Sequence, residues 1–289
     1  MGQPRPCVYT TRFAVGGTMP LSSPMPQEAR ERALALCLQV TAEKTPSPAE
    51  QERLFAELDG LLFGVDEAFT QWILDHPQFR PIRGHLHEVR AEYEYDRECE
   101  LARALVAAGD ESPLASFRSA RWYEEAHNFE LQALAPFAPK RVLVVGAGPF
   151  PTTALSFMQA HPDAAVACIE IRAEAYTLAT QVARITNCEA LQIIHADALT
   201  LEDFSDYDCV IVGTVVGVSE AEKTQVVEHF LNFVPASTLL VIRTAIGPGK
   251  IVYPSVDLKQ LAGIEYRVLM DPPQETFTMI ITDRRERDN

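Results

Sequence analysis

Lys140-Arg-Val-Leu-Val-Val-Gly-Ala-Gly-Pro-Phe-Pro-Thr-Thr153 is the stretch that decides the fold. The apolar, mostly β-branched run Val142 to Val145 reads as a buried parallel strand. It ends in Gly146-Ala147-Gly148, and a helical pattern follows from about Thr152 to His161. Strand, glycine turn and helix in that order form the first βα unit of a Rossmann-type nucleotide-binding fold. Glycine there lets the backbone turn sharply and approach a ligand closely.

A dinucleotide turn usually reads G-x-G-x-x-G. The third position here is Pro151, which has no backbone N–H to offer a pyrophosphate. The turn suits a ligand without phosphate, and S-adenosylmethionine (SAM) is the obvious candidate. Later strand ends point the same way. Val166–Glu170 ends in an acid that would accept hydrogen bonds from a ribose diol. Leu191–Asp197 ends in a second acid, placed to meet an adenine amino group. Tyr207–Gly213 is followed by the small residues around Thr214. Gly146, Gly148, Pro149, Thr152, Glu170, Asp197 and Thr214 are therefore the expected SAM-binding residues.

Working outward, residues 1–26 are rich in Pro, Gly, Ser and Thr and read as an extended or poorly ordered arm. Residues 27–135 carry helical periodicity, with segments from Gln27, over Ala49–Leu62, Asp66–Asp75 and Ile82–Ala108, and from Ser112 to about Leu134. Residues 136–289 alternate strand and helix and finish with Tyr266–Met270 and Phe277–Thr282 as an antiparallel closing pair. The expected fold class is α/β, a Rossmann-type SAM-dependent transferase domain preceded by an α-helical domain. The first domain would close the site and contact the substrate.

The 289 residues have 47% hydrophobic content, enough to bury a sizeable core. A net charge of −15 argues against nucleic acid as a partner. Six scattered cysteines without a C-x-x-C are the usage of a reducing compartment. No apolar run approaches the ~20 residues of a membrane span. The N-terminus, with Arg5 and Arg12, has no apolar signal-peptide segment, so a cytoplasmic protein with no membrane partner is expected. The seven histidines show no metal-ligand spacing, and no metal is expected.

The motifs Val144-Val-Gly-Ala-Gly-Pro149, Gly213-Thr-Val-Val-Gly-Val-Ser-Glu-Ala-Glu-Lys223, Val227-Glu-His229, Leu239-Leu-Val-Ile-Arg-Thr-Ala245 and Tyr253-Pro-Ser-Val-Asp257, with Ala91-Glu92, resemble nicotianamine synthases. The resemblance spans most of the C-terminal domain and, more weakly, the helical one. It implies transfer of an aminobutyrate (3-amino-3-carboxypropyl) unit from SAM to an amine, releasing methylthioadenosine. The shorter chain looks closer to the bacterial branch that makes opine-type metallophores such as staphylopine and pseudopaline. That branch implies histidine as acceptor, a downstream opine dehydrogenase and a possible homodimer. Two positions depart from the family's pattern. Its second acid after strand two is Arg172, and the histidine of its R-S-A-H-G run is Ile246. Both departures bear on the acceptor more than on the reaction class.

Such a transfer needs SAM held with its methionine γ-carbon in line with the amine, and a base to free that amine of its proton. Glu92 is the first expected base, from its acid- and tyrosine-rich segment and the Ala-Glu motif; the alternative is a solvated acidic face. Tyr123, in the aromatic segment Arg121–Asn128, would orient the amine or relay its proton, or else pack between domains. His127 reads as structural. Arg243 would pair with a substrate carboxylate and Tyr253 would contact substrate. Ala154, small and uncharged, would face the acceptor and favour L- over D-histidine. A conventional SAM methyltransferase and a SAM-binding protein without turnover remain the competing readings.

Overall fold

The computed structural model describes residues 9–10, 27–42, 46–62, 65–117, 120–270 and 278–282. Of the N-terminal arm it describes only the two-residue strand β1 (Tyr9–Thr10); the rest of the arm lies outside the described residues.

Five helices come first: α1 (Gln27–Val40), α2 (Pro48–Leu62), α3 (Glu67–Asp75), α4 (Arg83–Ala108) and α5 (Ala120–Leu134). Their apolar stripes bury Leu34, Leu36 and Val40 of α1 against Leu54, Phe55 and Leu58 of α2. Asp66 caps α3, its side chain accepting from the Phe69 N–H at 2.7 Å. Gly109, with φ of 73°, closes α4 in a left-handed turn. The stretch expected to run unbroken from Ser112 to Leu134 is two pieces. Pro113 starts a 3₁₀ turn over Ser112–Ser116, Phe117 turns the backbone extended, and α5 begins only at Ala120.

Then come β2 (Arg141–Val145), α6 (Thr152–Ala160), β3 (Ala165–Glu170), α7 (Ala173–Ile185), β4 (Gln192–His195), β5 (Cys209–Val212), α8 (Glu220–Phe233), β6 (Leu239–Thr244), β7 (Tyr266–Met270) and β8 (Thr278–Thr282). The sheet runs β1-β7-β8-β6-β5-β2-β3-β4. Every pairing is parallel except those of β8, which lies antiparallel between β6 and β7. β2, β3 and β5 are covered on both faces and are almost wholly buried, as their unbroken apolar runs require. The chain leaves β2 toward β3 and β4, then returns to β5 on β2's other side. That reversal opens a crevice beyond the carboxyl ends of β2 and β5.

One buried cluster lies on each face of the sheet, and a third fills the space among α1 to α4. The helical part is not a separate globule. Leu101, Ala102 and Leu105 of α4 and Ala126 and Ala133 of α5 join the sheet's own core. Ile251 and Val252, which follow β6, join the helical core in return. Among the described residues no helix is long and apolar enough to cross a membrane.

Candidate active site

A cavity of about 540 Å³ opens beyond the carboxyl ends of β2, β3, β5 and β6 and is roofed by α4 and α5. Its floor is the glycine turn. Gly146 and Gly148 take φ of 83° and 65°, the left-handed region that glycine enters without a Cβ penalty. Buried Glu170 pins this turn: Oε2 accepts from the Gly148 N–H and Oε1 from the Arg172 N–H, each at 2.8 Å. A carboxylate has about four acceptor sites, so two remain for a ligand diol. Asp197 lines the same cavity and accepts from the Leu199 N–H at 2.9 Å. Pro149, Thr152 and Thr214 complete that wall.

All the expected SAM-binding residues, with Tyr123, Arg243 and Tyr253, thus meet in one cavity. Two expected site residues do not join them. Glu92 sits on the outer side of α4, more than half exposed, in an ion pair with Arg172. Open to water and paired with a guanidinium, it has neither the burial nor the position that a base in the cavity requires. Ala154 is fully buried in the core between α6 and the sheet and lines no part of the cavity. It therefore gives no basis for a preference between histidine enantiomers.

The acids of α4 that do enter the cavity are Glu94 and Glu98, one helical turn apart. Glu98 Oε1 accepts from the Tyr123 hydroxyl at 2.5 Å. Its Oε2 lies against the glycine turn, 2.6 Å from where a Cβ on Gly148 would sit. Desolvation, which outweighs the Tyr123 hydrogen bond, pushes the Glu98 carboxyl up to about 8; Glu94 and Glu170 add to the rise. Burial and the neighbouring carboxylates lift the Tyr123 phenol well above its ordinary value, so Tyr123 keeps its proton and donates it. Its ring lies nearly parallel to Phe117 and His127, at 5.9 Å from each.

Glu94 accepts from the Tyr253 hydroxyl and from Arg90 Nε, the latter at 2.8 Å. Arg90 also donates to both oxygens of Asp59 at 3.0 Å and lies over the Phe55 and Tyr253 rings. The cavity wall carries Glu94, Glu98, Glu170, Asp197 and Glu222. Its two arginines, Arg172 and Arg243, are each engaged by a carboxylate. This balance favours a cationic ligand such as a sulfonium or an ammonium. Among the described residues no group of His, Cys, Asp and Glu could hold a metal ion.

The sequence model of the nicotianamine synthase protein family matches residues 33–289. The chain belongs to the nicotianamine synthase family. It is 23% identical over 244 residues to nicotianamine synthase 2 of Arabidopsis thaliana, covering 81% of this chain and 76% of the relative. Among solved structures, a glutamate-to-glutamine variant of MtNAS in complex with S-adenosylmethionine superposes with a TM-score of 0.74. Its identity is 18%, with 90% of this chain and 99% of that one covered. MtNAS in complex with MTA and tNA gives 0.71 at 20% identity, covering 90% and 97%. These structures share the fold.

Within this nicotianamine synthase relative, the motif arginine Arg243 does not present a free fork. Its Nε and one terminal nitrogen donate to the two oxygens of buried Glu130, and that nitrogen also reaches Thr153 Oγ1 at 2.8 Å. His127 lies between the hydroxyls of Thr152, Thr153 and Ser156 at 3.2–3.3 Å. Burial, with Arg243 nearby, pushes its pKa down to about 3, so the imidazole is neutral. Of the two departures from the family pattern, Arg172 lies over the Tyr95 ring at 4.1 Å beside Glu92. Ile246 packs part-buried against one face of the sheet.

Proposed function

We propose that this protein transfers the 3-amino-3-carboxypropyl unit of SAM to an acceptor amine. The observation that carries the reading is the Glu98–Tyr123 pair set against the Gly148 turn inside an acid-lined cavity. The turn, Glu170, Asp197 and Thr214 bind the adenosyl part. Glu98, with its raised pKa, takes a proton from the acceptor ammonium, while Tyr123 holds the carboxylate in place. The freed amine nitrogen attacks the γ-carbon of the methionine part. The carbon–sulfur bond breaks, its electron pair stays on sulfur, and neutral methylthioadenosine leaves. Glu94, held by Arg90 and Tyr253, supplies negative charge opposite the cationic reactants.

The acceptor in this reading is histidine. The product is a nicotianamine-like precursor that a downstream opine dehydrogenase would complete into a metallophore, and the working form is a cytoplasmic homodimer. The motif resemblance supports this branch. A second reading, nicotianamine synthase proper, is favoured by the identity of the Arabidopsis relative. Mass spectrometry after incubation with SAM alone, SAM with L-histidine and SAM with D-histidine separates them. The first reading predicts a histidine adduct carrying one aminobutyrate unit. Nicotianamine formed from SAM alone, with no histidine adduct, selects the second.

A further inference from the structure

Among the described residues, Lys223 is the charged one whose position least fits the ordinary rules. It is fully buried, in the first turn of α8, where the helix dipole disfavours a cation. No carboxylate is paired with its ammonium among the described residues. Instead its three N–H bonds go to three backbone carbonyls: Gly213 at 3.1 Å, Thr214 at 2.9 Å and Val216 at 3.0 Å. A helical side chain leans toward its helix's N-terminus, which brings Nζ back over the segment that precedes α8. Burial, with Arg243 nearby, pushes the Lys223 pKa down to about 7, the mark of a charge held without an anion.

The segment it holds is the cavity wall beside the glycine turn. Gly213 through Val218 all line the cavity. Val216 Cγ2 lies 2.6 Å from where a Cβ on Gly146 would sit, so loop and turn are fitted to each other. Gly217, with φ of 80°, lies so close to the Lys223 and Glu222 backbone that no Cβ could stand there. A capping box, Ser219 with Glu222, fixes where α8 starts and so where Nζ reaches.

We infer that Lys223 is a positioning residue, whose ammonium gathers three carbonyls to shape the 213–217 loop into one wall of the nucleoside pocket. The inference rests on the reading of the cavity as a SAM site. With the lysine removed, the three carbonyls lose their donors and the wall loses its shape before any ligand arrives.

Titration calorimetry with SAM tests this on the full chain carrying Lys223→Met or Lys223→Arg, together with steady-state kinetics. The expected result is a Kd for SAM at least tenfold higher in Lys223→Met, with kcat at saturating SAM within about threefold of wild type. Lys223→Arg, which keeps the donors, should recover most of the affinity. Equal SAM affinity in wild type and a folded Lys223→Met variant overturns the inference and leaves the SAM site standing. Absence of SAM binding by the wild type overturns both. If Lys223→Met does not fold, amide hydrogen exchange of the wild type decides. Protection of residues 214–217 before SAM is added, comparable to that of α8, is expected; rapid exchange there overturns the inference.

Discussion

Glu98 stands at the centre of the chemistry, and its pKa of about 8 has consequences for both rate and stability. As the base it must be ionised, so kcat/KM should climb with pH through a limb near 8. Glu98→Gln should lower kcat/KM by about 10²–10⁴ and remove that limb, as pH–rate profiles of the two forms would reveal. Stability follows from the sign of the shift. The folded carboxyl binds its proton more tightly than an ordinary one near 4.5, so between about 4.5 and 8 the folded chain holds more protons than the unfolded chain. Its contribution therefore makes the fold less stable as pH rises through that window. Glu98→Gln should melt a few degrees above wild type at pH 8, with the gap closing toward pH 4.5. The residue was within reach of the sequence. α4 carries an acid at every second position from Glu92 to Glu100, and that run disguises the helical phase. The core-facing stripe Ala91, Tyr95, Glu98, Ala102, Leu105 runs at spacings of three and four, and Glu98 is on it while Glu92 is not. The Ala-Glu motif drew the assignment to Glu92, six positions and about a third of a helical circumference away.

The elements of the sheet were legible because their signals are local. β2 and β3 lie at the expected residues, and most other strand ends fall within a residue or two, since an apolar run bounded by Gly, Asp or Pro has few alternatives. The break after Pro113 was missed because Ser112–Leu134 holds a helical pattern on both sides of Phe117. The misplacement of Ala154 is a matter of phase. The first turn of α6 sends Thr152 and Thr153 toward the cavity and the next residue into the core. The element most exposed to a single change is the glycine turn. Gly148→Ala would place a Cβ in a backbone conformation that L side chains rarely adopt and 2.6 Å from Glu98 Oε2. It should destabilise the fold by about 1–2 kcal/mol and lower kcat/KM more than tenfold. Chemical denaturation and initial rates would measure the two effects, and a fully active Gly148→Ala enzyme would contradict the packing of base against turn.

Across the whole molecule, two arginines of different standing join the helical and sheet halves. Arg172, with Glu92, forms a largely exposed pair between the β3–α7 turn and α4. Such pairs contribute little, so Glu92→Gln should shift stability by no more than about 0.5–1 kcal/mol and leave the rate within about threefold. Arg90 is enclosed, with its side chain only 12% exposed, and ties Asp59 of α2 to Glu94 of α4 and to Tyr253 beyond β6. Arg90→Met should cost about 2–3 kcal/mol, below the value for a fully buried pair because Asp59 is half-exposed. Urea unfolding of the two variants side by side would check the contrast. No local pattern announces such a node, because its members come from three distant stretches of chain; nor does any pattern mark Lys223, which in sequence is one more charge at the start of an amphipathic helix. The most direct measurement is the identity of the nucleoside left when the protein consumes SAM in the presence of histidine. Methylthioadenosine, in step with the aminobutyrate adduct, is the predicted result. S-adenosylhomocysteine in its place would mean that the methyl group is the one transferred, and would contradict the account.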